Sequence, residues 1–388
     1  MNARRICFVS GSRADYGLLY HPMRAVAAEP GFELQVAVTG MHLSPQFGLT
    51  VGAIEADGFP IAGRVESLLA SDTGSAVAKS MALGTAGFAD LLAHIEPDLL
   101  VLLGDRYEML AAANAALVMG VPMAHLCGGD VTEGAYDDSI RHALTKMAHL
   151  HFVTNAGAAR RVIQLGETPA RVHDVGSSGL DFIRTFARLG RAELAGQIGV
   201  DPSRPWLLVT FHPVTRDVRP SGEQLQALLD ALDPFLGEYS VIVTQPNADN
   251  EGLTLTRRIE AWAAGRAHAH LFASLGQTRY LSVMAEAAAV IGNSSSGLYE
   301  APSFGVPTVN IGTRQHGRPR AASVVDCAPE QGTIAGAIRE ALALDCSGVT
   351  NPYGDGHTSE RIVAVLKQVG DFRALLNKPF HDLGNPRD

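Results

Sequence analysis

The sequence predicts an α/β protein of two Rossmann-like, doubly wound domains facing a central cleft. Three observations carry that expectation. Short apolar runs alternate with longer stretches of helical periodicity along most of the 388 residues. Several runs, Leu99–Leu103 above all, are apolar at every position, as strands covered by helices on both faces must be. After a stretch at 189–205 containing Gly190, Gly196, Gly199, Pro202 and Pro205, the alternation begins again.

In chain order, the first half predicts strands at 6–10, 32–38, 99–103, 122–126, 149–153 and 172–175. Helical patterns fall between them at 16–28, 75–95, 108–119 and 156–165. The segment 189–205 reads as a helix end plus linker. The second half predicts strands at 206–211, 240–244, 268–272, 289–291 and 308–311, with helices at 224–236, 253–264 and 278–287. A last helix over 359–375 is expected to pack back on the first domain. The domains are therefore expected at about 1–185, with the C-terminal segment from about 366 to 388 returning to it, and at 186–365.

Composition narrows the function. Hydrophobic residues make up 46% and charged residues 18%, enough apolar surface for more than one core and too little charge for a disordered chain. A net charge of −9, from 31 basic and 40 acidic residues, argues against a general nucleic-acid partner, which needs a basic face. A small anion remains a suitable ligand, because a few arginines and helix N-termini can hold it locally. No uncharged apolar stretch reaches the roughly 18 residues of a membrane helix, and the N-terminal apolar run is too short for a signal peptide. The four cysteines are scattered without C-x-x-C spacing, as in a reducing, cytoplasmic protein with no structural zinc.

Ligands of open parallel sheets bind at the carboxyl ends of strands, and that is where the polar clusters fall. Gly-Ser-Arg13-Ala-Asp-Tyr-Gly follows the first strand and reads either as an anion-binding turn or as a helix cap with a solvated arginine. Gly-Asp105-Arg-Tyr-Glu follows 99–103, and this polar cluster at the mouth of a buried strand reads as functional, with an N-cap at Asp105 as the alternative. The densest cluster runs from His125 through Gly-Gly-Asp130 and Glu133 to Asp137, Asp138 and Arg141. Crowded carboxylates raise some of their own pKa values and suit proton transfer near neutral pH. An acidic helix start accounts for part of it, and a metal site at His125, Asp130 and Glu133 is the other functional reading, without an H-x-x-x-H pair to support it. His212, in Phe-His-Pro-Val-Thr, opens the second domain at a strand end. Gly-Asn-Ser294-Ser295-Ser296-Gly297, followed by Glu300, makes a plausible diphosphate cradle, with Arg314 and Arg318 downstream. No Walker motif is present, which argues against ATP hydrolysis.

Together these clusters resemble a known family. Gly-Ser-Arg-Ala-Asp-Tyr-Gly at 11–17, Gly-Asp-Arg-Tyr-Glu at 104–108, Gly-Gly-Asp-Val-Thr-Glu-Gly at 128–134, Asp-Asp-Ser-Ile-Arg-His-Ala at 137–143, Phe-His-Pro-Val-Thr at 211–215, Gly-Asn-Ser-Ser-Ser-Gly at 292–297 and Gly-Thr-Arg-Gln-His-Gly-Arg at 312–318 look like the hydrolysing UDP-GlcNAc 2-epimerases of sialic-acid and legionaminic-acid pathways. The match runs in order from residue 6 to about 326. The resemblance implies the glycosyltransferase-B type of two-domain fold and a homodimer or homotetramer. It also implies release of UDP by elimination, followed by hydration of the glycal to a free N-acetylmannosamine-type sugar. That scheme requires no metal and no redox cofactor. By the same resemblance Asp105, Asp130 and Asp137 are the catalytic carboxylates and His212 the catalytic histidine. His42 lies near the sugar, and Arg13, Ser294, Ser295, Ser296, Glu300, Arg314 and Arg318 contact the nucleotide diphosphate. Glu133, Arg141 and Gly297 complete the expected substrate contacts. One departure stands out. Many members that use UDP-GlcNAc carry Gly-Gly-Glu where this chain has Asp130, and the shorter carboxylate points to a bulkier sugar such as UDP-2,4-diacetamido-2,4,6-trideoxyglucose. The competing readings are a glycosyltransferase of the same fold and a non-catalytic nucleotide-sugar binder.

Overall fold

The computed structural model describes residues 3–71, 73–131, 136–214, 219–246 and 252–384. The chain divides into two compact units, Met1–Phe182 with Tyr353–Asp388, and Ile183–Pro352. In the first unit seven strands form one sheet: β1 (Arg4–Ser10), β2 (Phe32–Thr39), β3 (Ile61–Val65), β4 (Leu99–Leu103), β5 (Met123–Leu126), β6 (Leu150–Val153) and β7 (Val172–Asp174). Their order is β3-β2-β1-β4-β5-β6-β7, and every pairing is parallel. The helices are α1 (Arg13–Ala28), α2 (Val51–Ala56), α3 (Gly74–Ile95), α4 (Tyr107–Met119), α5 (Tyr136–Met147), α6 (Ala156–Gln164) and α7 (Gly179–Thr185).

The continuous apolar strands have a direct cause. Ile6 and Phe8 of β1 enter one core cluster and Cys7 and Val9 another; Leu99, Val101 and Leu103 of β4 likewise separate from Leu100 and Leu102. Successive side chains point to opposite faces, so a sheet with a core on each face needs an apolar residue at every position. Side chains cap the helices that follow: Ser12 accepts from the Asp15 N–H at the start of α1, Thr73 from Ala76 at α3, and Asn155 from Ala158 at α6.

The second unit repeats the plan with α8 (Arg191–Ile198), β8 (Trp206–Thr210), α9 (Ser221–Leu232), β9 (Ser240–Thr244), α10 (Gly252–Ala263), β10 (Ala269–Phe272), α11 (Gly276–Glu286), β11 (Ala287–Gly292), α12 (Ser296–Tyr299), β12 (Thr308–Ile311), β13 (Val324–Cys327) and α13 (Gln331–Ala343). Its sheet runs β10-β9-β8-β11-β12-β13, also parallel. The segment expected as a linker contains α8, which ends on the left-handed Gly199. The sequence reading also passed over the two edge strands β3 and β13 and the helices α2 and α13.

The last helix, α14 (Thr358–Gln368), returns to the first unit and is shorter than expected; a 3-10 turn at Arg373–Leu376 follows it. Ile362, Leu366 and Phe372 join the core that contains β1. Asp181 of α7 accepts hydrogen bonds from the Thr358 and Ser359 backbone N–H groups at 2.9 and 2.7 Å, which caps α14 from outside. Farther on, Lys378 donates to the carbonyls of Lys146 (2.6 Å) and Ala148 (2.7 Å) and pairs with the buried Glu167 at 3.1 Å. Glu167 also accepts from Lys146 at 2.7 Å and His151 at 2.9 Å. Among the described residues no helix is long and apolar enough to cross a membrane.

Candidate functional site

In each sheet the strand order reverses at one point, between β1 and β4 and again between β8 and β11. Loops leaving the carboxyl ends of strands diverge at such a point and leave room for a ligand. In the first unit the loop after β1 is tied by the Asp15 carboxylate, which accepts from the Gly11 N–H at 3.2 Å. Burial pushes that carboxyl up to about 6, against the nearby Arg106 charge. Arg13, the first residue of α1, is exposed.

After β4, Asp105 does not cap the next helix. The N-cap of α4 is Arg106, whose guanidinium instead lies on the buried Glu108 carboxylate at 3.2 and 3.3 Å. Asp105 is freed to pair with Arg141 of α5. Burial raises the Asp105 carboxyl above the usual carboxylate range, Arg141 opposes that, and the neighbouring charge of Asp137 reinforces it. Arg141 is also 3.8 Å from Asp138, whose other oxygen is 3.4 Å from His142. Asp105 and Asp138 thus flank one nearly buried guanidinium, and Asp137 is near enough for its charge to act on Asp105.

His125 holds this turn from below. It is fully buried, with Nε2 2.7 Å from the Gly104 carbonyl and Nδ1 3.1 Å from the Thr145 hydroxyl. Burial drops its pKa to about 3, so the ring is neutral and donates Nε2–H to Gly104. With both nitrogens engaged it offers no lone pair to a metal, which overturns its place in a ligand set. Among the described residues no group of three or more His, Cys, Asp or Glu is arranged to hold a metal ion.

The Gly-Gly-Asp turn after β5 is dictated by packing. Gly129 has φ +78°, and a Cβ there would stand 2.3 Å from the Ala158 carbonyl oxygen of α6. Asp130 accepts from the Thr154 hydroxyl at 2.9 Å and lies 3.5 Å from the Asn155 amide. The Cys127 thiol, raised to about 12 by burial, feels the charges of Asp130, Arg141 and Asp105, so these three surround it. Glu133 lies outside the described residues. His42, expected beside the sugar, is instead a core residue: it has no exposed surface, Nε2 is 2.9 Å from the Ser10 hydroxyl and Nδ1 2.7 Å from that of Thr50. Burial lowers its pKa to about 4.

In the second unit, His212 leaves the end of β8 and is gripped through its backbone. Its N–H donates to Asn293 Oδ1 at 2.7 Å, and its carbonyl accepts from Asn293 Nδ2 at 2.8 Å. The Asn293 carbonyl in turn accepts from Arg314 at 3.1 Å and Gln315 at 2.8 Å. Arg318 donates to Gln315 at 2.7 Å and lies over the Tyr299 ring at 5.7 Å. Gly292 permits the β8–β11 approach: its φ is +138°, and a Cβ would meet the Thr210 carbonyl oxygen at 1.9 Å.

A chain of hydroxyls underlies the serine turn, from Thr244 to Thr210 (2.6 Å), Tyr280 (3.4 Å), Ser296 (2.7 Å) and Ser294 (2.8 Å). The helix after that turn is shorter than expected. α12 spans one turn from Ser296 through Gly297 to Tyr299, and Glu300 lies beyond it as its C-cap. So short a helix offers little dipole, and hydroxyls make up most of the polar surroundings of Ser294, Ser295 and Ser296. Burial raises the Glu300 carboxyl to about 7, and its Oε2 is buried without a hydrogen-bond partner. Sequence reasoning missed Asn293 and Gln315 as organisers of these loops; the available signal was an amide directly after an apolar strand.

Comparison with known proteins bears on the family and the fold. The family profile described as UDP-N-acetylglucosamine 2-epimerase matches residues 24–367. A Campylobacter jejuni protein named GDP/UDP-N,N'-diacetylbacillosamine 2-epimerase (hydrolyzing) is 41% identical over 327 residues, 84% of this chain and 85% of its own. A Legionella pneumophila protein named UDP-N,N'-diacetylbacillosamine 2-epimerase (hydrolyzing) is 35% identical over 375 residues, 97% and 98% of the two chains. The crystal structure of a Neisseria meningitidis UDP-GlcNAc 2-epimerase bound to UDP-GlcNAc superposes with a TM-score of 0.77 at 15% identity, over 94% of this chain and all of the other, and bears on the fold alone.

Proposed function

The chain belongs to the UDP-N-acetylglucosamine 2-epimerase family, and from that premise we propose that it is a hydrolysing 2-epimerase acting on UDP-2,4-diacetamido-2,4,6-trideoxyglucose, which is UDP-N,N'-diacetylbacillosamine. The observation that carries this reading is the identity of 41% and 35%, over most of their length, to two hydrolysing N,N'-diacetylbacillosamine 2-epimerases, the first named for a GDP- or UDP-linked sugar and the second for the UDP-linked one. The carboxylates around Arg141 give the reading its chemistry.

In the first step the C1–O bond to the diphosphate breaks, UDP leaves with both electrons, and a carboxylate takes the C2 proton to give a glycal. In the second, water adds its oxygen to C1 while an acid returns a proton to the opposite face of C2. The products are UDP and the free 2-epimer. Asp105, Asp130 and Asp137 are the proton-transfer groups of this scheme. The raised Asp105 carboxyl supports that role, because a group titrating nearer neutrality both accepts and returns a proton. Arg141 keeps the cluster from repelling itself. His212, fixed by Asn293, assists at the diphosphate.

The second unit's turns are assigned the nucleotide. Arg314, Arg318 and the hydroxyls of Ser294, Ser295 and Ser296 neutralise the departing diphosphate. The unpartnered Glu300 Oε2 supports a contact with ligand hydroxyls. His42 supports the loop between Ser10 and Thr50 through its two ring nitrogens. The finer reading is a cytoplasmic homo-oligomer on a legionaminic-acid type route.

The test is incubation with UDP-N,N'-diacetylbacillosamine in deuterated water, followed by proton NMR. Free UDP with a 2-epimerised sugar carrying deuterium at C2 is expected. UDP release with C2 protonated and unepimerised, or no turnover by folded protein, would overturn the assignment.

A further inference from the structure

The first unit contains a recess of about 1100 Å³ beside the catalytic turns, between residues 40–47 after β2 and 66–71 after β3, closed by Val77 of α3 and by Arg106 and Tyr107 at the head of α4. Its lining is apolar at Met41, Leu43, Phe47, Leu68, Leu69 and Val77 and polar at Ser44, Gln46, Glu66 and Ser67. Arg106, at one edge, directly follows Asp105 in the chain. It does not present a free cation, because Glu108 holds it and the Met41 sulfur stands 3.8 Å away. Phe47 is 47% exposed at the rim, an aromatic ring with half its surface in water. A ligand that covers it gains from removing that surface from solvent.

The two candidate sugars differ in how such walls treat them. UDP-GlcNAc carries a hydroxyl at C4 and a hydroxymethyl at C5, and both lose water hydrogen bonds when pressed against aliphatic side chains. The diacetamido trideoxy sugar has an acetamido group at C4 and a methyl at C5, so it presents two methyl groups in the same places. Its amide is the one polar group to satisfy, and the Ser44 and Ser67 residues of the lining supply hydroxyls.

We propose that this recess receives the 4-acetamido and 6-methyl end of the sugar, and that Phe47 and Leu69 set the preference for the diacetamido trideoxy sugar over GlcNAc. This rests on the 2-epimerase reading above.

The experiment measures kcat/KM for UDP-N,N'-diacetylbacillosamine and for UDP-GlcNAc with the unsubstituted protein, with Phe47→Ser, and with Phe47→Ser combined with Leu69→Ser. Circular dichroism checks the fold of each. Phe47→Ser alone guards against a folding defect, since that ring is half exposed already. The unsubstituted protein is expected to favour the diacetamido sugar, and the ratio of the two constants to fall roughly tenfold or more in the double variant, the scale at which an apolar pocket discriminates small groups. A smaller fall, or an unsubstituted protein that favours UDP-GlcNAc, overturns the specificity assignment and leaves the epimerase reading standing. Turnover of neither sugar overturns the epimerase reading, and this inference with it.

Discussion

Asn293 does more than any other single residue to organise the second unit's loops. Both its side-chain atoms are spent on the backbone of His212, and its carbonyl anchors Arg314 and Gln315. Removing the amide strands a buried N–H and a buried C=O, and lets His212 move by a fraction of an ångström. Asn293→Ala is therefore expected to lower kcat/KM for UDP release about 10- to 100-fold. A change of less than about twofold would detach His212 from the chemistry. This residue also marks what a sequence conceals. Asp105, Asp130 and His212 stood out because charged or polar groups at apolar strand ends are conspicuous. Asn293, His125 and Glu108 act through backbone or through another side chain, and nothing in a linear string records a contact between residues 212 and 293. Conversely, His42 was singled out by resemblance, and its burial between two hydroxyls could not be read from the sequence.

At the level of elements, the interior strands such as β1, β4, β8 and β9 were all legible, and so were the edge strands β7 and β10. The two that were missed, β3 and β13, lie at sheet edges. There one side is open, so Gly63, Arg64 and Asp326 are tolerated and the apolar run is broken. The helix α8 was hidden by the glycines that bound it, Gly190 before its first residue and Gly199 after its last. The Gly-Gly-Asp turn shows the opposite case, where composition and geometry agree closely. Gly129→Ala forces a side chain onto φ +78° and into the Ala158 carbonyl of α6. A loss of about 2 kcal/mol or more in unfolding free energy is expected from chemical denaturation. An alanine variant as stable as the parent would mean that α6 does not pack there.

For the whole molecule, the C-terminal segment is held down by a buried ion cluster. Burial alone would raise the Glu167 carboxyl, but hydrogen bonds from His151 and Lys146 and the charge of Lys378 outweigh it, and the pKa falls from 4.5 to about 2. A carboxylate lowered on folding contributes stability that is complete above its unfolded value and is lost as pH falls toward the folded one. A gap of that size corresponds to about 3 kcal/mol, withdrawn between roughly pH 4.5 and pH 2. Glu167→Gln should show most of that loss already at pH 7 and a flatter stability profile across the acid range, read from denaturant midpoints at a series of pH values. Parallel pH profiles for the two proteins would contradict the ion-cluster account. The last helix belongs to the first unit, and the sequence reading expected it there without marking what holds it. The sequence did not foretell Lys378, because an ordinary surface lysine and a buried anchor are written with the same letter.

The return of α14 has a further bearing on how the protein is made. Synthesis runs from the N-terminus, so the unit begun first is completed last. Its core lacks Ile362, Leu366 and Phe372 until the ribosome has passed residue 372, while the second unit is uninterrupted and has all of its sheet once residue 352 has emerged. The nascent chain must therefore carry an unfinished apolar sheet, open where α14 will lie, while the whole second unit is translated. Exposure to chaperones and to misassociation is concentrated in that interval, and it ends only when the last residues of the core leave the exit tunnel.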